Sequence, residues 1–249
     1  MKRTSAFLRQ VPANLVTYPV FKGKLTDISG DRKLIINTIN QYSYCIAEID
    51  TEFKQALQAS DILLPDGMSI VSAIRLLNGQ IIEKIAGWDL HEHLLKELNL
   101  KGGKCFYMGS SENTLNKIKE KLGWEYPNIQ AGFYSPPFKA HFTDDENAAI
   151  LEAINAFKPD VLFIGMTAPR QEKWAYAHKD QLEVQTICSI GAVFNFYAGT
   201  MERPSAIWIS LRLEWLGRLI REPRRMWRRY LVYGPVFVYK VLKEKVQSL

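Results

Sequence analysis

The chain has 249 residues, 47% of them hydrophobic and 23% charged, with a net charge of +6. This composition excludes a disordered chain and supports one large core with room for an appendage. The charge is uneven: from Arg203 to Leu249 eleven Lys and Arg stand against three Asp and Glu, a local +8, so residues 1–202 carry −2. A basic tail on a near-neutral body calls for an anionic partner, with phosphate of a lipid, a diphosphate or a nucleic acid as the natural choice. Met1 to Gln10 has two early basic residues, Lys2 and Arg3, but no apolar stretch followed by small residues, which argues against secretion. No run of about 20 apolar residues occurs. We therefore expect a protein that is cytoplasmic or peripheral on a membrane. Cys45, Cys105 and Cys188 lie singly in apolar runs and read as buried structural thiols.

Taken in chain order, short apolar runs alternate with helical patterns. RKLIINTIN is a strand entering a polar turn, TEFKQALQAS a helix, and DILLPDG a strand that ends in Pro-Asp-Gly. WDLHEHLLKELN places Leu90, Leu94, Leu95 and Leu98 at helical spacing, and KCFYMG is the next strand. SSENTLNKIKEKLG opens on a serine cap and is expected to end at Gly123. After a polar crossing come DDENAAILEAINAF, PDVLFIG, PRQEKWAYAHKDQL and VQTICSIG, read as helix, strand, helix, strand. This alternation predicts an α/β fold: a Rossmann-like, mostly parallel sheet with flanking helices, plus a basic, aromatic-rich C-terminal helical appendage. The composition changes near Gly199–Pro204, dividing a body of residues 1–200 from an appendage of residues 201–249.

Parallel sheets bind ligands beyond the carboxyl ends of their strands. That draws attention to Asn37–Asn40, Pro65–Gly67, Gly109–Ser111, Gly165–Gln171 and Gly191–Asn195. A glycine directly after a strand suits either backbone N–H contact with phosphate or a tight turn. Neither G-x-G-x-x-G nor a P-loop occurs, so no dinucleotide or other cofactor is expected. Asp66, between Pro65 and Gly67, suits a partly desolvated general base, although an aspartate in an Asx turn would look the same. Gln171, at a helix start, suits sugar hydroxyls or a diphosphate, or is simply polar surface. Asp144–Asp145 reads as a capped, acidic helix start. His91 and His93 point to different helix faces, so no metal is expected.

In order and spacing, INTIN, LLPDGMSIV, KIAGWDL, APRQEKW, SIGAVFNFYAG and LEWLGRLIREPRR resemble the WecG/TagA/CpsF glycosyltransferases (glycosyltransferase family 26), from about Leu34 to Arg229. The resemblance implies an inverting, metal-independent enzyme at the inner face of the bacterial cell membrane. It would move a sugar, typically N-acetylmannosamine or its uronate, from a UDP-sugar donor to a polyprenyl-diphosphate-linked acceptor. By position, Asp66 would be the base, Thr38 and Asn40 would line its pocket, and Gln171 would contact substrate. Arg218, Arg225 and Arg228 would reach the diphosphate, where planar guanidinium groups bind bidentately. Departures fall at Lys84, where an arginine is usual, at Ala192 for a glycine, at Asn195 for an aspartate, and in ERPSAIW. Lys84 keeps the charge without the planar fork, and Asn195 removes an acid, so the donor sugar stays open.

On a helix, Arg218, Arg221, Arg225 and Arg228/Arg229 share a face and Leu211, Trp215 and Leu219 another, with Pro223 kinking or restarting the helix. An arginine face bordered by Trp and Tyr suits docking on an anionic membrane surface. An ordinary packed helix pair and an RNA-binding basic patch on a phosphate-binding module are the alternatives. We expect membrane docking that also delivers arginines to the active site, and no nucleic acid. The oligomeric state is left open.

Overall fold

The computed structural model describes residues 13–15, 17–28, 32–202, 208 and 213–247. An eight-stranded sheet organises it, with β1 (Ala13–Leu15), β2 (Tyr18–Val20), β3 (Leu34–Ile39), β4 (Ile62–Pro65), β5 (Lys104–Gly109), β6 (Gln130–Tyr134), β7 (Val161–Gly165) and β8 (Thr186–Ser189). The spatial order is β1-β2-β4-β3-β8-β7-β5-β6. Only the β1–β2 pair is antiparallel; the other neighbours run parallel. The alternation read from the sequence thus produces the expected α/β architecture. Strand β6 lies in what the sequence presents as a polar crossing, because QAGFY has a weak apolar pattern and gains its place by edge pairing with β5.

The helices are α1 (Gln41–Ala47), α2 (Thr51–Gln58), α3 (Met68–Asn78), α4 (Gly87–Lys101), α5 (Glu112–Glu125), α6 (Asp144–Phe157), α7 (Arg170–His178) and α8 (Val193–Tyr197). In the appendage follow α9 (Glu214–Arg221), α10 (Pro223–Trp227), a π-helical turn (Arg228–Val232) and α11 (Tyr233–Gln247). Helices α4, α5 and α8 cover one sheet face around Tyr107 and Phe163, and α6 and α7 cover the other around Ile164 and Ile187. Ser111 caps α5 as expected, but α5 runs through Gly123 to Glu125, since Gly123 is an exposed helical position and Tyr126 makes the cap. Thr143 caps α6, so Asp144 and Asp145 are first-turn acids. The three cysteines are buried and free, and burial pushes the Cys45 thiol up to about 11.

Pro223 does restart the helix: α9 ends at Glu222, whose backbone is non-helical, and Pro223 opens α10 at a position where no N–H is needed. A second proline, Pro235, follows Gly234 in the first turn of α11 without breaking it. The π turn just before it widens the hydrogen-bond spacing and relieves the clash of the proline ring with a preceding carbonyl. Helix α11 then packs on α1 and α3, burying Phe237 and Val241 among Tyr44, Cys45, Ile70 and Ile74. Among the described residues no helix is long and apolar enough to cross a membrane.

Candidate active site

The chain leaves β3 for β4 on one side and reaches the neighbouring β8 from β7 on the other. The carboxyl ends of these strands therefore open onto one crevice at a switch in topology. The crevice has two lobes. One, of about 560 Å³, is walled by Met68, Ser69, Ser72, Lys84, Trp215 and Tyr230. The other, of about 170 Å³, runs over the strand ends past Thr38, Gln171, Gly191, Asn195 and Arg225. Asn40, Asp66, Glu214, Arg218 and Arg229 border both.

Asp66 thus stands at the partition. It follows β4, its N–H donates to the Ile39 carbonyl at 2.9 Å, and Gly67 at φ 134° turns the chain into α3. No residue but glycine adopts that φ readily, so the chain turns directly after Asp66 and holds it at the strand's end. Enclosure by protein pushes the Asp66 carboxyl up to about 6, with Lys84 and Arg218 opposing and Glu214 and Asp89 assisting. Such a carboxylate is ionised at neutral pH yet basic enough to take a proton.

Around it, Asn40 caps α1, its Oδ1 accepting from the backbone of Tyr42 at 3.0 Å and Ser43 at 3.1 Å. Thr38 is half-buried beside it. On the far wall Gln171 Nε2 donates to Glu172 Oε1 at 2.9 Å, while Gln171 Oε1 and Glu172 Oε2 are buried without a partner. Burial pushes the Glu172 carboxyl up to about 7. Gly191, at φ 48°, brings its backbone against the Gln171 amide, where a Cβ would lie 3.2 Å from Oε1. Gly109 and Gly165 have a different reason. A Cβ on Gly109 would meet the Gly165 backbone at 2.8 Å, and one on Gly165 would meet the Phe194 ring at 2.3 Å. Close packing requires these two glycines, and the Gly109–Ser111 turn lies outside both lobes.

From the appendage, Arg218 lies over the Phe196 ring at 5.7 Å and has its Nε buried and unpaired. Arg225 pairs with Glu222 at 2.9 Å. Arg229, over the Tyr42 ring at 4.5 Å, has its pKa lowered by burial and by the nearby Arg218 and Arg225. Arg228, singled out by sequence, is exposed and borders neither lobe. Its neighbour Arg229, in the same π-helical turn, borders both lobes instead. Lys84 reaches across to Glu214 of α9 at 2.7 Å. Sequence reasoning passed over Glu214, Arg229, Trp215 and Tyr230, although Arg229 stands on the recognised arginine face. Among the described residues, His91 is buried against the Tyr107 hydroxyl at 2.7 Å, and His93 sits 3.5 Å from Glu97.

The chain that builds this crevice matches the family model described as Glycosyl transferase WecG/TagA/CpsF family over residues 8–249. The chain belongs to the WecG/TagA/CpsF family. This glycosyltransferase is 30% identical over 217 residues to the N-acetylglucosaminyldiphosphoundecaprenol N-acetyl-beta-D-mannosaminyltransferase of Bacillus subtilis (strain 168), covering 86% of this chain and 82% of the relative. A protein of the same name from Staphylococcus aureus (strain MW2) is 27% identical over 212 residues, covering 85% and 81% respectively. The family match extends well past the stretch that carried the resemblance, into α11.

Proposed function

We propose that this WecG/TagA/CpsF glycosyltransferase moves N-acetylmannosamine from a UDP donor to N-acetylglucosamine linked through diphosphate to a polyprenyl chain; the sugar and the acceptor are those in its relatives' names, and the UDP donor is the one the family resemblance implies. The observation that carries the reading is the position of Asp66 between two lobes, with arginines on the wall they share. The smaller, polar lobe suits the nucleotide-sugar, and the larger one, bounded by Met68, Trp215 and Tyr230, suits the acceptor. The Asp66 carboxylate takes the proton from the acceptor hydroxyl as that oxygen bonds to the anomeric carbon. The bond from that carbon to the diphosphate oxygen breaks on the opposite face, and UDP leaves with inverted sugar configuration behind it. Arg218, Arg225 and Arg229 receive the charge that develops on the diphosphate. Thr38, Asn40, Gln171 and Asn195 hold the sugar and its nucleotide.

The protein works at the inner face of a bacterial membrane. Leu231, Val238, Tyr239, Leu242 and Val246 are exposed on the appendage, and Arg224 and Arg228 lie exposed nearby. Apolar and aromatic groups among arginines are what an anionic bilayer surface holds. The test is a panel of UDP-sugars assayed with a prenyl-diphosphate-linked N-acetylglucosamine, with and without EDTA. We expect transfer from UDP-N-acetylmannosamine that survives the chelator. Transfer of glucose or a uronate instead would reassign the donor, and loss in EDTA restored by magnesium would reassign diphosphate neutralisation to a metal.

A further inference from the structure

The pair joining Lys84 to Glu214 borders the same cavity as Asp66, and the proposed reaction leaves it unused. Lys84 lies in the strap between α3 and α4. The next residue, Ile85, donates its N–H to the carbonyl of Pro65 at 3.0 Å, and Pro65 immediately precedes Asp66. The strap is thus pinned against the end of β4, one residue from the base. Glu214 comes from the other side, on the first turn of α9. The two side chains meet at 2.7 Å and are 22% and 30% exposed, so solvent screens the pair only partly.

We propose that Glu214, supplied by the appendage, is a positioning residue that holds the Lys84 ammonium away from the Asp66 carboxylate. This rests on the reading of Asp66 as the base. A lysine ammonium is a compact charge on a flexible stem and goes to whichever carboxylate is within reach. The charged and titratable groups facing Asp66 are Lys84 from the strap, Asp89 from α4, Glu214 and Arg218 from α9, and Arg229 and Tyr230 beyond α10. Asp89 is already engaged, its Oδ2 accepting from the Ala86 N–H at 2.9 Å. With Glu214 removed, Asp66 is the carboxylate left for Lys84 on that wall. An ammonium in contact lowers a carboxyl and weakens it as a proton acceptor. Glu214 thereby links the basicity of a residue built by the sheet to the seating of the appendage.

The experiment is a double-mutant cycle on the full-length protein, with Glu214→Gln, Lys84→Met and both together. The Asp66 side-chain carboxyl is followed by carbon-13 NMR titration and assigned by its disappearance in Asp66→Asn. We expect Glu214→Gln to lower the Asp66 midpoint by about one pH unit when Lys84 is present. In the Lys84→Met background the same change should move it by less than about a third of that, because only direct repulsion is then lost. Lys84→Met alone should raise the midpoint. The acid limb of kcat/KM should follow the same order. An unmoved midpoint in Glu214→Gln, or equal shifts in both backgrounds, overturns the proposal, and activity loss without any midpoint shift leaves Glu214 a tether only. Turnover retained by Asp66→Asn would overturn the assignment of the base instead, which the NMR titration judges independently of activity.

Discussion

The floor of the crevice and its wall are built on different terms. The floor is made of strand ends whose register is locked by parallel pairing, with Asn37, Ile39, Leu64 and Ile164 essentially inaccessible beneath it. The wall comes from the appendage, which buries Met226, Phe237 and Val241 but leaves Trp215, Ile220, Trp227 and Leu231 exposed. In the proposed reaction the rigid part holds the one group that must sit within bonding distance of a reacting hydroxyl. The less buried part supplies cations, whose long-range attraction tolerates looser placement, and turns an apolar surface outward. Chemistry that needs position is assigned to the sheet, and chemistry that needs charge to the tail.

The largest effect that would sharpen this division is loss of the base. Asp66→Asn keeps size and turn geometry but accepts no proton, so turnover should fall roughly 10²–10⁴-fold. UDP affinity, measured by calorimetry, should persist. More than about a tenth of normal turnover, under conditions where chemistry limits the rate, would mean that the floor does not carry the base.

The next test separates neighbours within the wall. Arg229→Ala should weaken UDP binding roughly 10- to 100-fold, the worth of a lost charge-assisted contact. Arg228→Ala should leave UDP binding unchanged and reduce sedimentation with anionic vesicles. The reverse pattern would show that Arg228, not Arg229, serves the site.

The smallest effect concerns the cost of the floor's design. The Asp66 carboxyl titrates at about 6 in the folded protein, above roughly 3.9 for an unfolded chain. Its folded pKa is raised, so its stabilising proton is bound below the unfolded value and lost as pH rises through about 6. Glu172, pushed up to about 7, acts in the same sense. Asp66→Asn should therefore come close to wild type in Tm near pH 4 and exceed it at pH 8 by roughly 5–10 °C. An equal Tm at both pH values would mean that Asp66 pays no such penalty.

Sequence alone determined much of this protein. β-branched runs separated by amphipathic helices dictate a parallel sheet, because each run must bury both faces and each helix only one. Pro-Asp-Gly after an apolar run dictates a carboxylate at a strand's end, and the arginines among tryptophans raise the expectation of an anionic partner. Tertiary structure decided the rest. Edge pairing recruited β6 despite its weak pattern, and helical spacing put Arg228 and Arg229 on one face without saying that Arg229 is the one that lines the cavity. Nothing in the spacing of Lys84 and Glu214, 130 residues apart, foretells their meeting beside Asp66, because that contact exists only once the appendage folds back over the strand ends.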